Sequence, residues 1–193
     1  TYEMMQWTLP DSADAYLDAF CAGLRPDPLQ TIDQWLEAEN VQLPSFVSEA
    51  GKYRVSRTPF WREVYECLSP SHPCHEVALM KSHQIGATTV GVNWLGYIID
   101  RAPAAAMVVE PTVDLAKKFS KQKLQPMLDL TPCLKGKVRE ARTRDSGNTV
   151  LSKEFVGGLI SLTGSNSAVG LRFASVKYLL LDEVDGYVQD ADG

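Results

Sequence analysis

Two short stretches of the sequence together supply the side chains that phosphate chemistry requires. The first, "KSHQIGATT" at 81–89, contains a lysine, a glycine and two threonines just before a long helix-like segment. The second, "LLLDEVDG" at 179–186, ends an apolar run with Asp182 and Glu183. A glycine loop that opens a helix binds phosphate through its backbone N–H groups, and a lysine and a hydroxyl complete such a site. An acid pair supplies a magnesium ligand and a general base.

The loop departs from the phosphate-loop pattern G-x-x-x-x-G-K-[ST] at two of its four fixed positions. Gly86 and Thr88 fit, but Lys81 replaces the first glycine and Ala87 replaces the lysine. We expect Lys81 to compensate, because its four-carbon stem can carry the ammonium across the loop to the β- and γ-phosphates. Thr88 would offer its hydroxyl to Mg²⁺, with Thr89 as the alternative if the register shifts by one. Taken alone, this motif is also compatible with an ordinary strand-to-helix turn.

The acid pair favours the phosphate-loop interpretation over that turn. "VKYLLLD" predicts a buried strand that delivers Asp182 and Glu183 to its C-terminal tip, where open α/β sheets bind ligands. Asp182 would hold Mg²⁺ through water, and Glu183 would polarise the attacking water. Two acids that simply end a strand are the alternative. The combination predicts an ATPase whose cofactors are ATP and Mg²⁺.

The rest of the pattern places both motifs in an α/β fold. Helices are predicted from Thr58 and Pro59 through "FWREVYECLS", in "TTVGVNWLGYIID", and from Val113 onward with a disturbance at Pro126. Strands are predicted in "EVALMKS", "AAAMVVEP", "TVLSKEF", "GLISLTGS" and "VKYLLLD". Alternating strands and helices predict a parallel sheet with helices on both faces.

The chain divides by composition into an acidic N-terminal segment, 1–57, and a core, 58–193. Residues 1–50 carry nine acidic residues and one basic residue. Two short amphipathic helices are predicted at 12–24 and 31–39, followed by a turn-rich linker up to residue 57. Neither helix is large enough to bury its own apolar stripe, so each must pack on the core or on another protein.

A basic stretch, 117–144, contrasts with that acidic segment. It carries nine basic residues and two acidic ones, which suits a surface that faces a phosphate backbone. A solvated helix face is the alternative explanation.

The cysteine and hydropathy patterns argue against a disulfide-stabilised protein, a membrane protein and a zinc site. Four scattered cysteines argue for a reduced, cytosolic setting without disulfides. The longest apolar runs are far below the roughly 18 residues that a membrane span requires, so we expect a soluble chain. Cys67, His72, Cys74 and His75 fit no closed zinc pattern, and we expect them to be loop residues.

These motifs resemble the ATPase domain of the large terminase subunit of lambda-like tailed bacteriophages. The resemblance rests on the stretches "MKSHQIGATT" and "SNSAVGLRFASVKYLLLDEVDGY". Two further stretches support it, "RTPFWREVYECLS" before the loop and "VEPTVDLAKKFSKQKLQPMLDLTP" after it. It extends from about residue 53 to the C-terminus. The family's deviant phosphate loop also begins with the lysine. The resemblance implies a P-loop NTPase fold of the ASCE, RecA-like type and a motor that uses ATP to drive double-stranded DNA into a preformed capsid.

The resemblance also implies roles for individual residues. Lys81, Gly86 and Thr88 match the phosphate and magnesium positions, whereas Asp182 and Glu183 match the metal-holding and catalytic acids. The implied nucleotide contacts are Lys81, Ser82, His83, Gln84, Ile85, Gly86, Ala87, Thr88, Thr89, Tyr53 and Phe60.

One departure from the family pattern and one further candidate residue accompany these assignments. The family's frequent glutamine after Pro-Phe is Trp61 here, which leaves the adenine contact of Tyr53 and Phe60 open. Arg172, in "GSNSAVGLR", is a candidate sensor of phosphate or DNA, with an ordinary surface arginine as the alternative.

The resemblance further implies partners and a location. They are double-stranded DNA, a small terminase subunit, the portal ring of the procapsid and further copies of the chain, in the host cytoplasm and transiently at the portal. The N-terminal helices are candidates for binding the small subunit, or for packing over the ATP site.

Two alternative interpretations of the motifs remain. A superfamily-2 helicase shares the loop and the acid pair, and a non-hydrolysing nucleotide-binding module would explain Ala87. The family's strand after the acid pair and its nuclease domain have no counterpart here, so we expect a fragment that hydrolyses ATP poorly alone.

Overall fold

A computed structural model describes residues 11–24, 30–45, 47, 50–139, 148–167 and 175–187. Arg172 and the end of the basic stretch, 140–144, lie outside these ranges. The helices are α1 (Asp11–Leu24), α2 (Ile32–Ala38), α3 (Arg62–Leu68), α4 (Ala87–Arg101), α5 (Val113–Phe119) and α6 (Gln125–Leu130). The strands are β1 (Gln42–Leu43), β2 (Gly51–Lys52), β3 (Ala105–Glu110), β4 (Asn148–Thr149), β5 (Ser152–Phe155), β6 (Gly158–Gly164) and β7 (Tyr178–Leu181).

The main sheet is mixed and has the strand order β4-β5-β6-β3-β7. β3 runs parallel to both β6 and β7, whereas β4, β5 and β6 pair antiparallel. The predicted α/β class is confirmed, and the predicted parallel pairing holds for β6, β3 and β7 but not for β4 and β5. A turn through Gly157, at φ 84°, sends β5 directly back into β6, and so short a connection permits only antiparallel pairing. The predicted strand "TVLSKEF" is likewise divided by a turn into β4 and β5.

Among the described residues, helices α2 to α6 share a core with one face of this sheet. The strand residues in that core are Ala106, Val108, Ile160 and Leu162, together with Ala116 and Phe119 of α5 and the apolar side of α4. On the other face, Met107, Val109 and Thr163 are buried, whereas Leu159, Leu179 and Leu181 are 37%, 49% and 47% exposed. In the described part of the chain, this face is therefore covered at β3 and at the end of β6 but open at β7. The prediction that "VKYLLLD" is buried throughout is wrong, and helices on both faces stay a prediction. β7 is the outermost strand, and its residues alternate between a covered and an open face.

Both predicted N-terminal helices are present, but only α2 is packed into the core. Ile32, Trp35 and Leu36 of α2 are fully buried, and Trp35 Nε1 donates to Asp100 Oδ2 of α4 at 2.7 Å. By contrast, the large apolar side chains Tyr16, Leu17, Phe20 and Leu24 of α1 remain 50–81% exposed. The boundary at residue 57 stays a prediction.

Two stretches before α4 differ from their predictions. The linker contains a small antiparallel pair, β1 with β2. Residues 76–82, predicted as a strand, form none, and Leu79 and Met80 are 43% and 105% exposed. An apolar run indicates extended chain but does not specify a neighbour to pair with. Within the described ranges, the sheet ends at β7 and offers this stretch no partner.

The remaining helix predictions are confirmed with local irregularities. A 3-10 turn, Pro59–Trp61, precedes α3, and a π-helical turn, Ser120–Leu124, separates α5 from α6 just before Pro126. In the described ranges, no helix combines the length and the apolar character needed to span a membrane.

Candidate functional site

Strand β7 of the main sheet positions Asp182 at its C-terminal end. Asp182 follows β7, and its amide continues the strand pairing by donating to Val109 O at 3.1 Å. Although Asp182 is only 8% exposed, its carboxylate has polar neighbours. Thr88 Oγ1 donates to Oδ2 at 2.9 Å, the Glu183 amide donates to Oδ1 at 3.0 Å, and Lys81 Nζ lies 3.9 Å from Oδ1. The structure thus brings together Lys81, Thr88 and Asp182 from the two motifs.

Close packing of α4 on β7 makes the contact between Thr88 and Asp182 possible. Gly91 lies three residues after Thr88, and Leu180 lies two residues before Asp182. A Cβ atom added to Gly91 would approach Leu180 Cδ2 to 2.8 Å. Because glycine permits this approach, the first turn of α4 reaches the strand tip. The hydrogen bond also supports the register with Thr88, not Thr89, beside the acid.

The loop enters α4 through two left-handed residues. Gln84 has φ 57°, and Gly86, the N-cap residue of α4, has φ 88°. Only glycine adopts such a conformation without steric cost, which explains the residue type at position 86. This geometry places the start of a 15-residue helix, with its partial positive charge, directly after the loop.

Trp61 holds the loop from the other side. It is only 4% exposed, and its Nε1 donates to the carbonyl of Ile85 at 3.1 Å. A Cβ added to Gly86 would lie 3.8 Å from the same nitrogen. In the sequence Trp61 stood out only as a departure from the family's glutamine, and the structure makes it a support of the loop backbone.

Lys81 extends into the site from the start of the loop. Its side chain is 29% exposed, and its ammonium faces the Asp182 carboxylate at 3.9 Å. That distance lies at the outer limit of an ion pair, so the ammonium is not fully engaged by the acid. Ser82 and His83 are exposed, whereas Ala87 and Thr89 are partly buried in the first turn of α4.

Glu183 is held in an unusual backbone conformation. Its φ and ψ are 50° and 47°, a left-handed geometry that is uncommon for residues other than glycine. It is exposed, and a 3-10 turn, Val184–Gly186, follows it. Such conformations concentrate at functional sites.

Glu110, which the sequence analysis did not select, is a further acid at the site. It ends β3, is 5% exposed, and its Oε1 has no hydrogen-bond partner among the described residues. Burial, and then the charges of Asp182 and Glu183, raise its pKa to about 7, against the opposing effect of Lys81. The rule that selected Asp182, an acid at the tip of an apolar strand, would also have selected "AAMVVE".

Tyr187 lies close enough to these acids for their charges to act on its hydroxyl. Burial and the charges of Glu110 and Asp182 raise the pKa of its hydroxyl to about 12. The hydroxyl therefore stays protonated and donates to Val109 O at 2.7 Å.

The two predicted adenine contacts lie in different surroundings. Tyr53 is 8% exposed, and its hydroxyl accepts from Tyr65 at 3.0 Å and lies 3.2 Å from Thr58 Oγ1. Phe60 is 59% exposed, with its ring centroid 5.3 Å from that of Trp61. Of the two, only Phe60 offers an open ring face near the loop.

The oxygen donors of the site fit a magnesium ion. Mg²⁺ prefers one or two carboxylates or hydroxyls together with phosphate and water oxygens. Thr88 and Asp182 supply a hydroxyl and a carboxylate that already lie within hydrogen-bonding distance. The unpartnered Oε1 of Glu110 adds negative charge that a cation would offset.

Comparison with known proteins identifies the family. The family model for the ATPase domain of the phage terminase large subunit gpA matches residues 47–193. The terminase large subunit of Escherichia phage lambda is 25% identical over 169 residues, which cover 87% of this chain and 26% of that protein. That of Enterobacteria phage P21 is 25% identical over 190 residues, covering 94% and 28%. No solved structure matches.

The chain thus spans roughly a quarter of the length of the two curated relatives. The family model covers well over half of the chain and includes every residue of the candidate site. The chain therefore belongs to the family of phage terminase large subunit gpA ATPase domains.

Proposed function

We propose that this chain is the P-loop ATPase of a DNA-packaging motor, which hydrolyses ATP to drive double-stranded DNA into a procapsid. The observation that carries the proposal is the meeting of Lys81 and Thr88 with Asp182, which lies 94 residues beyond Thr88. A lysine, a hydroxyl and a carboxylate around one helix N-terminus form the set that phosphate-loop NTPases use. An ordinary strand-to-helix turn does not require these three groups to lie together.

Each residue has a defined task in this proposal. Thr88 and Asp182 would hold the cation, and the Lys81 ammonium would offset charge on the terminal phosphates. A bound Mg²⁺ would supply the positive charge that stabilises the transferring phosphoryl group. Glu183, exposed at the strand tip, would take the proton of the attacking water. The amides of the loop and of the first turn of α4 would bind phosphate oxygens.

The exposed lysines after β3 support DNA as the cargo. Lys117, Lys118, Lys121 and Lys123 are exposed on α5 and the following π-helical turn, although Lys117 also pairs with Asp114 at 3.0 Å. A motor that must grip any sequence is best served by contacts to the phosphate backbone. The small terminase subunit, the portal ring and other copies of the chain are the further partners that we propose from the family.

Nucleotide titration of Lys81→Ala tests the proposal. Calorimetric titration with ATP and Mg²⁺ should give a saturable signal for the wild type and none for the variant. Lys135→Ala is the matched control, because Lys135 is exposed and lies two residues before Lys137, which pairs with Asp100 in the last turn of α4. A helix of 15 residues is about 22 Å long, which separates the control from the loop. Equal ATP affinity in wild type and Lys81→Ala would overturn the proposal.

The DNA surface is tested by charge reversal. Lys117→Glu combined with Lys121→Glu should weaken binding to duplex DNA, and the wild-type affinity should fall steeply with added salt. Lys52→Glu combined with Lys177→Glu changes the net charge equally on exposed lysines outside the basic stretch and should bind as the wild type does. If both double variants lose affinity equally, only net charge matters and the surface assignment fails.

A further inference from the structure

Three metal-ligating side chains that have no task in the proposed phosphate site converge at the end of α3. Ligand atoms of Cys67, His72 and Cys74 all lie within 4.8 Å of one another. In a tetrahedral zinc site with Zn–S bonds of about 2.3 Å, neighbouring ligand atoms lie somewhat under about 4 Å apart. The cluster therefore needs only a small contraction to enclose a metal ion.

The backbone that carries this cluster is fixed by buried contacts. Ser69 lies between Cys67 and His72, is 2% exposed, and its hydroxyl donates to Tyr65 O at 2.7 Å. The same hydroxyl accepts the Ile32 amide of α2 at 2.9 Å, and the His72 amide donates to Ser69 O at 2.9 Å. A turn anchored in this way holds its ligands with little loss of entropy on binding.

The donor atoms of the cluster suit a soft divalent cation. Nδ1 of His72 accepts the Cys74 amide at 3.2 Å, and Cys74 Sγ donates to Glu76 O at 3.0 Å, so metal binding would replace these two local hydrogen bonds. Thiolate sulfur and imidazole nitrogen are the donors that zinc prefers, and binding would displace the thiol protons of Cys67 and Cys74.

We propose that Cys67, His72 and Cys74 bind a zinc-class divalent ion that anchors the stretch leading into the phosphate loop. Cys74 begins a stretch that reaches Lys81 without forming a strand, and residues 78–82 are all exposed. A metal bond between α3 and Cys74 fixes the start of this stretch, where the sheet supplies no pairing. The spacing C-x4-H-x-C closes no four-ligand pattern, so the fourth position is left to water. The inference does not depend on ATP binding.

Metal titration of the reduced chain tests the site. Zn²⁺, competed against a chelating dye, should bind one equivalent with a dissociation constant below about 1 µM. Co²⁺ in its place should produce a thiolate-to-metal absorption band. Cys67→Ser, Cys74→Ser and His72→Ala should each weaken binding at least about tenfold and reduce that band.

Matched variants of the same residue types serve as controls. Cys133→Ser removes a partly buried thiol outside the cluster, and His83→Ala removes an exposed histidine. Both should bind metal as the wild type does. The site is overturned if the cluster variants bind as tightly as the controls, or if binding requires millimolar metal. It is also overturned if Cys67 and Cys74 form a disulfide under mild oxidation in the presence of Zn²⁺, since bound metal would occupy both sulfurs.

Hydrogen exchange tests the anchoring role. Amides in 75–81 should exchange several-fold more slowly with Zn²⁺ than without it, and Cys74→Ser should abolish the difference. Unchanged exchange in a chain that binds one Zn²⁺ would overturn the anchoring role. Loss of ATP binding in Lys81→Ala does not bear on either result.

Discussion

The candidate site has a carboxylate half, Glu110, Asp182 and Glu183 at the ends of β3 and β7, and a loop half, residues 81–88. The two halves are held by different kinds of contact. Asp182 continues a strand whose backbone pairs with β3 from Ala106 to Val109. The loop half follows a stretch that forms no strand, and the side chains of Trp61 and Lys81 hold it. Several strand hydrogen bonds must break together to move the acids, whereas one substitution removes a loop contact.

This difference separates two classes of variant. Changes in the carboxylate half should alter charge and chemistry while the strand keeps its position. Changes in the loop half should alter position, and through it nucleotide affinity. The two halves touch where Thr88 donates to Asp182, and Gly91 permits this contact because it lets α4 pack closely on Leu180 of β7.

Glu183→Gln gives the largest expected effect and tests the carboxylate half. In the full-length protein, ATP hydrolysis should fall by about 100- to 10 000-fold, because the amide cannot accept the proton of the attacking water. ATP affinity should change less than about twofold, since the strand still positions the site. Phosphate release and calorimetric titration measure the two quantities.

Asp185→Asn is the control for that variant, because Asp185 is also exposed and lies in the adjoining 3-10 turn. It should hydrolyse ATP at close to the wild-type rate. A Glu183→Gln variant that turns over normally would remove Glu183 from the mechanism.

Sequence patterns predicted the carboxylate half better than the loop half, for a physical reason. An apolar run that ends in acids predicts both a strand and the edge at which its tip lies, and this located Asp182 and Glu183. The same rule applied to β3 would have added Glu110. Glycine at a left-handed position and threonine in the first turn of a helix are also local requirements, and they located Gly86 and Thr88.

Features that depend on distant neighbours were not predictable. The strand predicted at 76–82 is absent, because an apolar run does not reveal whether a neighbouring strand is available. Trp61 supports the loop across 24 residues of sequence, and no spacing rule links an indole to the carbonyl of Ile85. The convergence of Cys67, His72 and Cys74 depends on the turn anchored by Ser69, and that turn is fixed by contact with α2.

Glu110→Gln tests how much the burial of a charged carboxylate lowers the free energy of unfolding. The folded-state pKa of about 7 lies above the usual 4.5, so the folded chain binds more protons than the unfolded chain between these values. The free energy of unfolding of the wild type should therefore fall as the pH rises from 4.5 through about 7. The loss is at most about 3 kcal/mol, and the variant should lack this component.

Urea unfolding at several pH values, without nucleotide, measures this dependence. Glu76→Gln, which changes an exposed acid in the lead-in stretch, should keep the wild-type slope. If Glu110→Gln keeps that slope as well, burial of Glu110 does not destabilise the fold, and the carboxylate half is not strained by its charges.

Trp61→Phe gives the smallest expected effect and tests the loop half directly. Phenylalanine keeps most of the buried ring but lacks the N–H that reaches Ile85 O at 3.1 Å. A neutral hydrogen bond contributes about 1 kcal/mol, so ATP affinity should fall by about fivefold as the loop loses its support. Trp35→Phe is the matched control, because it removes the indole bond to Asp100 at 2.7 Å, near the opposite end of α4. That variant should lower the free energy of unfolding while leaving ATP affinity unchanged. If Trp61→Phe binds ATP as tightly as the wild type, other contacts fix the loop, and the contrast between strand-held acids and a side-chain-held loop fails.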